Sequence, residues 1–351
     1  LPQAPADPRI LGSLPLPLVS QAARASTSGS ASPTWKVVGQ KTPSTLKIPP
    51  NSTLGAQDKL DQVTTNESVA AIEASLVDAN GDPAGAGAVS AAVLAEIQQN
   101  PEQAEEILAG AQESLGDFDQ LLAEAEPDEW ALVVKNFSQV AEVVGPEGAA
   151  ALGETLAGGG DELIVALATA SPSPGLEALE QSVAGALGEN AGQEFLNTTQ
   201  TVRDQVQTIA AAEGPQAVSA ALAAASSANP ELSQLILQAA APQLDQAVAN
   251  LENLDPEQAQ QVIQQLAAVA QTSPESAAMV ADLLQRHMVA DQPELLAGLT
   301  QASLVGDTLL VQTFLARANE AGQAELAANF DSVLKVQAYH TEFERLLEAG
   351  D

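Results

Sequence analysis

The sequence predicts a mainly α-helical protein, an array of short antiparallel helices forming either an irregular α-solenoid or a helical bundle. An extended, Pro/Ser-rich N-terminal arm with one or two short strands is expected to precede it. Three observations support this fold class. From about residue 57 the chain is rich in Ala, Leu, Glu and Gln, which are good helix formers. Helix-start signals recur along this region, and apolar residues repeat at helical spacing.

Seven prolines, each followed directly by an acidic residue, mark predicted helix starts. Proline is tolerated at the first helical position because that N–H has no intrahelical partner, and the acid faces the positive end of the helix dipole. Neighbouring members of the set mostly lie 18–26 residues apart, which indicates one helix per 15–26 residues. The seven are Pro101, Pro127, Pro146, Pro230, Pro256, Pro274 and Pro293.

Two narrow apolar stripes show the helical period most clearly, one in residues 257–270 and one in residues 294–305. Many other core positions are expected to be Ala. Because Ala buries little apolar area, many helices or neighbouring subunits would have to share the burial. The stripes consist of Val262, Ile263, Leu266 and Val269, and of Leu295, Leu296, Leu299 and Leu304.

Breaks at Gly158–Gly159–Gly160 and at residues 171–175 separate predicted helices. The expected organisation is an arm at 1–56, a first helical region at 57–172 and a second at 173–351. The two helical regions are expected either as separate parts or as one continuous body.

The arm carries the predicted assembly anchor. Residues 35–54 are rich in β-branched residues and broken by prolines, which favours one or two extended or edge strands. Two interpretations of the apolar side chains remain open: they cap the protein's own core, or they insert into another subunit. The anchor comprises the apolar Trp35, Val37, Val38, Leu46 and Ile48, and the basic Lys36, Lys41 and Lys47.

Charge divides the chain sharply. The net charge is −34, yet the first 60 residues hold six basic and two acidic residues, which makes them +4 and leaves the rest at −38. Such an acidic body repels nucleic acid and anionic lipid, and aromatics at 3% are too few for base stacking. A saline habitat and a solubility strategy both explain the acidity.

No motif predicts catalysis, a cofactor or a metal. Cysteine is absent, and only two histidines occur. Asp78, Asn80 and Asp82 have the spacing of half a calcium loop, but Pro83 replaces the required Gly, so a turn is favoured. The spacing of His340 and Glu344 favours an ion pair on a helix face over a metal site. The chain is therefore predicted not to be an enzyme.

Secretion is the expected localisation. The start at Leu1 would suit a mature terminus from which a signal has been removed, and no apolar run is long enough for a transmembrane helix. Four Asn-x-Ser/Thr sequons occur. Asn51 and Asn66, in loop-like surroundings, are the possible glycosylation sites, whereas Asn136 is expected on a helix and is a poor candidate.

These observations predict a secreted structural protein, a subunit of an extracellular or surface filament or layer. The N-terminal arm would bind the acidic helical body of a neighbour, so the expected partner is a second copy or a surface protein. The alternative is a monomeric helical-repeat protein-binding module or an accessory subunit of a larger complex.

Overall fold

A computed structural model describes residues 56–77 and 84–349 of the chain. Within these ranges the protein is mainly helical, as predicted, with fifteen α-helices, three short 3₁₀ helices and no strand. The predicted arm strands, the assembly anchor and the calcium-like motif at 78–82 lie outside the described residues. The α-helices are α1 (Ala56–Ala74), α2 (Ala86–Gln99), α3 (Ala104–Glu124), α4 (Pro127–Leu156), α5 (Gly160–Thr169), α6 (Pro174–Leu187), α7 (Glu189–Ala210), α8 (Pro215–Ala228), α9 (Ser233–Ala239), α10 (Ala241–Ala249), α11 (Pro256–Ala270), α12 (Pro274–His287), α13 (Pro293–Leu304), α14 (Leu309–Glu320) and α15 (Ala324–Ala349). The 3₁₀ helices are Pro101–Gln103, Pro230–Leu232 and Leu251–Asn253.

The predicted helix-start prolines open helices. Four of them are the first residues of α4, α11, α12 and α13. Pro101 and Pro230 each open a 3₁₀ helix that leads directly into α3 and α9. Pro146 lies within α4 but follows Gly145, whose φ of 69° and ψ of −169° interrupt the helical path. The helix therefore restarts at Pro146.

The two predicted stripes are largely buried. All four of the residues predicted on α11 belong to the core, as do Leu295 and Leu299 on α13. Leu304 is a correction, because it is exposed although the spacing places it in the stripe. It is the last residue of α13, and the chain turns away just after it at Gly306, which has a φ of 101°.

The core consists of two clusters of buried side chains. The first extends from Ile72 to Phe195 and includes Trp130, Phe118 and Phe137, whose phenyl rings lie 5.8 Å apart. The second extends from Ala168 to Val333. Both clusters draw residues from α5 and α7, so these helices connect the two halves of the body.

Small residues allow close helix packing, most clearly where α4 meets α6. A Cβ placed on Gly153 would lie 2.4 Å from the carbonyl carbon of Ser182, inside any tolerable contact. The absence of a side chain therefore lets the backbones of α4 and α6 approach closely. This is how an Ala- and Gly-rich sequence builds a dense core from small side chains.

Candidate functional site

The C-terminal helix α15 divides into a buried half and an exposed half. In the first half, Ala327, Phe330 and Val333 are buried in the second core cluster, and α15 packs against α13 and α14. The ring of Phe330 stacks on that of Phe314 with centroids 5.2 Å apart. The base of α15 is thus fixed to the body by aromatic packing.

The second half carries a row of exposed apolar side chains. Every residue from position 341 to 348 is exposed. Tyr339 is 76% exposed, Phe343 is 59% exposed and Leu347 is 61% exposed. Steps of three or four residues bring such side chains to one face of a helix. The row, called here the α15 stripe, comprises Val336, Tyr339, Phe343, Leu346 and Leu347.

Ion pairs within the helix flank the stripe. Lys335 contacts Asp331 at 2.5 Å, and Arg345 contacts Glu342 at 2.7 Å. His340 Nε2 lies 3.3 Å from Glu344 Oε1, which confirms the predicted pairing on a helix face. Hydrogen bonds from Arg345 hold the pKa of Glu342 below its ordinary value. Residues 335–348 thus carry two basic and three acidic side chains, a net charge of −1 with His340 neutral.

Basic residues of the described body are mostly engaged with carboxylates. Six Lys and Arg residues follow residue 60, against 44 acidic residues. Five of the six form ion pairs, and the sixth, Lys135, is exposed on α4. The pairs are Arg203–Glu180, Arg286–Asp245, Arg317–Asp282, Lys335–Asp331 and Arg345–Glu342. The great excess of carboxylates thus has few cations of its own body to neutralise it.

An acid–base cluster connects α10 to α12. Asp245 Oδ1 lies 3.0 Å from His287 Nε2 and 2.9 Å from Arg286 Nη1. The hydrogen bond from His287, together with the positive charge of Arg286, holds the pKa of Asp245 below its ordinary value. Arg286 and His287 also line a surface groove of about 470 Å³, which Glu252 and Glu294 line as well. The cluster fixes two helices together at the rim of this groove.

The triple glycine forms the expected joint between α4 and α5. A Cβ on Gly159 would lie 2.4 Å from the indole of Trp130, so the large side chain packs directly on the glycine backbone. Asp161 follows at the start of α5, and burial, with the adjacent charge of Glu162, raises its pKa. The first turn of α5 therefore carries two carboxylates, those of Asp161 and Glu162.

Three of the four sequons have different outcomes, and the fourth, Asn197, is exposed on α7. Asn51 lies outside the described residues. Asn66 is exposed but lies within α1, so the expected loop around it is wrong; the helix continues because Ser68 and Ile72, one turn apart, are both buried against the body. Asn136 lies on α4 as expected, and it is buried, with its Nδ2 donating to Ser90 Oγ at 3.0 Å.

The described residues contain neither a cluster of metal-ligating side chains nor a membrane-spanning helix. No group of three or more His, Asp or Glu side chains in 56–77 and 84–349 is placed to hold a metal ion. None of the helices in these ranges is long and apolar enough to cross a membrane.

Comparison with known proteins yields no relative. No protein-family model matches the chain, and no curated protein or solved structure is significantly similar to it. The functional assignment therefore depends on the chain's own residues.

The sequence motifs did not identify the α15 stripe. Spacing in this segment predicts only the local pairing of His340 with Glu344. The signal was nevertheless present, because the chain has only nine aromatic residues and two of them, Tyr339 and Phe343, lie one turn apart. Spacing alone does not reveal exposure, since a buried helix has the same apolar period.

Proposed function

We propose that the protein is a secreted structural subunit of an extracellular or surface assembly, in which the basic arm of one copy binds the acidic body of the next. The observation that carries this proposal is the engagement of the body's few cations. With five of its six basic residues after position 60 already paired, the body's excess carboxylates need cations from elsewhere.

The arm is a matching source of cations. Residues 1–56 supply five basic side chains against one acidic one, a net charge of +4. Electrostatic complementarity of this kind steers association and sets register. A contact between different surfaces of identical subunits repeats from copy to copy, so it produces a filament or layer unless it closes into a ring.

The apolar side chains of the assembly anchor would add affinity to this attraction. Ordering an extended segment costs roughly 1–2 kcal/mol per residue in backbone entropy. Burial of a large side chain such as Trp35, Val38 or Ile48 contributes on the order of 1.5–3 kcal/mol. Charge and apolar contacts together are therefore needed to hold the arm. Secretion is part of the proposal and is supported by the Asn-x-Ser/Thr sequons at Asn51 and Asn66.

The test compares the mass of the full chain in solution with that of a chain lacking Leu1–Thr53. The remaining Leu54–Asp351 form a compact unit by their own contacts. At low salt the full chain is expected to form species larger than those of the truncated chain. Sedimentation velocity measures this, and equal species for both chains would overturn the proposal.

Point variants in the full chain locate the contact. Replacing Lys36, Lys41 and Lys47 with Glu is expected to abolish the arm-dependent species, because the attraction to the body becomes repulsion. Trp35→Ala should weaken them with helicity unchanged. Leu18→Ala is the matched control, since it removes an apolar arm residue outside the assembly anchor.

A second candidate is a monomeric helical-array binding module, or an accessory subunit of a larger complex. The pattern of helix contacts favours this candidate, because α2 packs on α4, α4 on α6 and α11 on α13. In each case the two helices are separated by only one other α-helix in the sequence. Helical solenoids have such local contacts and bind partners on their extended surfaces. A monomeric full chain at all salt concentrations would favour this candidate.

A further inference from the structure

We propose that two copies of this chain pair through the α15 stripe, antiparallel, in an interface separate from the arm contact. The proposal concerns the half of α15 that lies beyond its packed base. It rests on the exposure, the spacing and the flanking charges of this half-helix, and it does not require the arm.

The exposed apolar surface of the α15 stripe indicates a binding site for a partner. Contiguous apolar surface of this kind marks an interaction site. Helix propensity alone gives little stability to a short helical segment in water, so such segments depend on packing of their apolar face. Tyr339 and Phe343 are exposed in a chain that otherwise uses few aromatics and buries Trp130, Phe118, Phe137 and Phe330 almost completely.

The spacing of the apolar residues indicates that the partner surface is another helix. Val336, Tyr339, Phe343 and Leu346 follow each other at steps of three, four and three residues. This is the alternation of the two apolar positions in a coiled-coil heptad, which forms a seam for one facing helix. Leu347 lies beside the seam and widens it.

The apolar side chains of the seam are spaced so that two antiparallel copies of the helix would place apolar residues opposite each other. With a two-fold axis at position 341, Val336 lies opposite Leu346 of a second copy and Tyr339 lies opposite Phe343. The two Tyr339–Phe343 pairs then lie at the centre of the interface. The two Val336–Leu346 pairs lie at its ends. A symmetric contact of this type closes on itself as a dimer.

The flanking charges favour a second copy over the arm. Lys335, His340 and Arg345 are each paired with a carboxylate on α15. This half-helix therefore offers a basic arm little unbalanced negative charge. Residues 335–348 carry a net charge of only −1, so two acidic bodies would meet little local repulsion at this contact.

The size of the contact suits a weak dimer. Five apolar side chains per copy, two of them aromatic, give roughly 500 Å² per copy and about 1,000 Å² in total. That lies at the low end for specific interfaces, where dissociation constants are typically micromolar. Association is therefore expected to depend on protein concentration over the micromolar range.

Sedimentation equilibrium of the full chain in about 0.5 M NaCl tests the pairing, because that salt concentration screens the attraction between arm and body. The wild type is expected to dimerise. The double variant Tyr339→Gln with Phe343→Gln should raise the dissociation constant at least about 100-fold, because two central aromatic contacts are lost. Circular dichroism should show unchanged helicity. Ala338→Gln with Thr341→Gln, on the opposite face of α15, is the matched control and should dimerise normally.

Disulfide cross-linking tests the antiparallel orientation of the two helices. Because the sequence contains no cysteine, only the introduced cysteines can form a disulfide. Full-length Val336→Cys and Leu346→Cys proteins are prepared separately and then mixed under oxidising conditions. The antiparallel arrangement predicts mixed disulfide dimers and little cross-linking of either variant alone. Cross-linking of each variant with itself, no cross-linking at all, or normal dimerisation of the Tyr339/Phe343 variant would each overturn the proposal.

The two proposals fail in different ways. If the charge-reversed arm variant still forms every species of the wild type, the arm contact is wrong while stripe pairing stands. If the Tyr339/Phe343 variant forms every species of the wild type at high salt, the stripe pairing is wrong and the arm contact is unaffected.

Discussion

Arg203 of α7 and Glu180 of α6 form an ion pair in which both side chains are largely buried, 13% and 12% exposed. Arg203 also donates to the backbone oxygen of Leu167, on α5, at 2.9 Å. One guanidinium thus joins α5, α6 and α7 where the two core clusters meet. Removing either partner leaves the other charge desolvated, which costs more than the pair itself contributes.

Glu180→Gln and Arg203→Met are each expected to lower the free energy of unfolding by about 3–5 kcal/mol, the range for breaking a buried pair. The double variant should lose less than the sum of the two, because neither charge is then left alone. Urea unfolding followed by circular dichroism measures all three. Lys335→Met, which removes a solvent-exposed pair on α15, is the control and should leave the unfolding midpoint nearly unchanged.

Glycine substitutions should have opposite effects at two helical positions. Gly153→Ala places a methyl group against the backbone at Ser182 and is expected to destabilise the protein by about 1–3 kcal/mol, as overpacking does. Gly185→Ala, at an exposed position of α6, meets no atom within 4 Å and should stabilise by about 0.5–1 kcal/mol through helix propensity. Thermal unfolding of the pair checks the prediction. Equal effects would mean that α4 and α6 are not in close contact.

The pH dependence of stability should reveal the Asp245–His287 hydrogen bond. Because the folded protein lowers the pKa of Asp245 below 3.8, the carboxylate contributes stability above pH 3.8. That contribution is lost as the pH falls below 3.8 through the lowered pKa. Asp245→Asn should therefore be less stable than the wild type at pH 7, and the difference should shrink in acid. A difference independent of pH would exclude the carboxylate as its cause.

Asp307 is expected to show the opposite pH dependence of stability. Burial raises its pKa above 3.8, so its charged form is a cost to the folded state at neutral pH. The cost is removed as the pH falls through the raised pKa towards 3.8. Asp307→Asn should be more stable than the wild type at pH 7, with a gain that disappears in acid. Chemical denaturation at several pH values measures both variants.

The helical fold could be predicted because its signals are local. Pro127, Pro256, Pro274 and Pro293 start helices for reasons contained within one turn of chain, namely the missing N–H and the adjacent acid. Leu304 was misplaced because helical spacing carries no information on where a helix ends and the chain turns away. The contact of Gly153 with Ser182 is equally invisible in sequence, since a glycine in a helix shows nothing of its tertiary neighbour.

The candidate site was harder to predict than the fold. The pairing of His340 with Glu344 was foreseen because it lies within one helix. The pairs of Asp245 with His287 and of Glu180 with Arg203 were not, because 42 and 23 residues of chain separate their members. Asn66 also shows that local sequence does not reveal tertiary burial. Its polar surroundings suggest a loop, but the burial of Ile72 in the same helix holds this segment against the body.

Salt should stabilise the body. Five ion pairs oppose the mutual repulsion of 44 carboxylates in residues 61–351, so the repulsive contribution to the free energy dominates and screening should favour the folded state. Each kcal/mol of relieved repulsion raises the melting temperature by about 2–4 °C in domains of about 150–250 residues, and by somewhat less in this larger body. A melting temperature that falls steadily from low to moderate NaCl would contradict this expectation.

A charge-reduced variant separates screening from other effects of salt. Glu124, Glu154 and Glu320 are exposed in the last turns of α3, α4 and α14, where their charge also opposes the negative end of the helix dipole. Replacing all three with Gln should raise the melting temperature at low salt and flatten its rise with NaCl. If the variant keeps the full salt dependence of the wild type, the rise comes from salt effects on apolar burial, and self-repulsion is not what limits the stability of this acidic body.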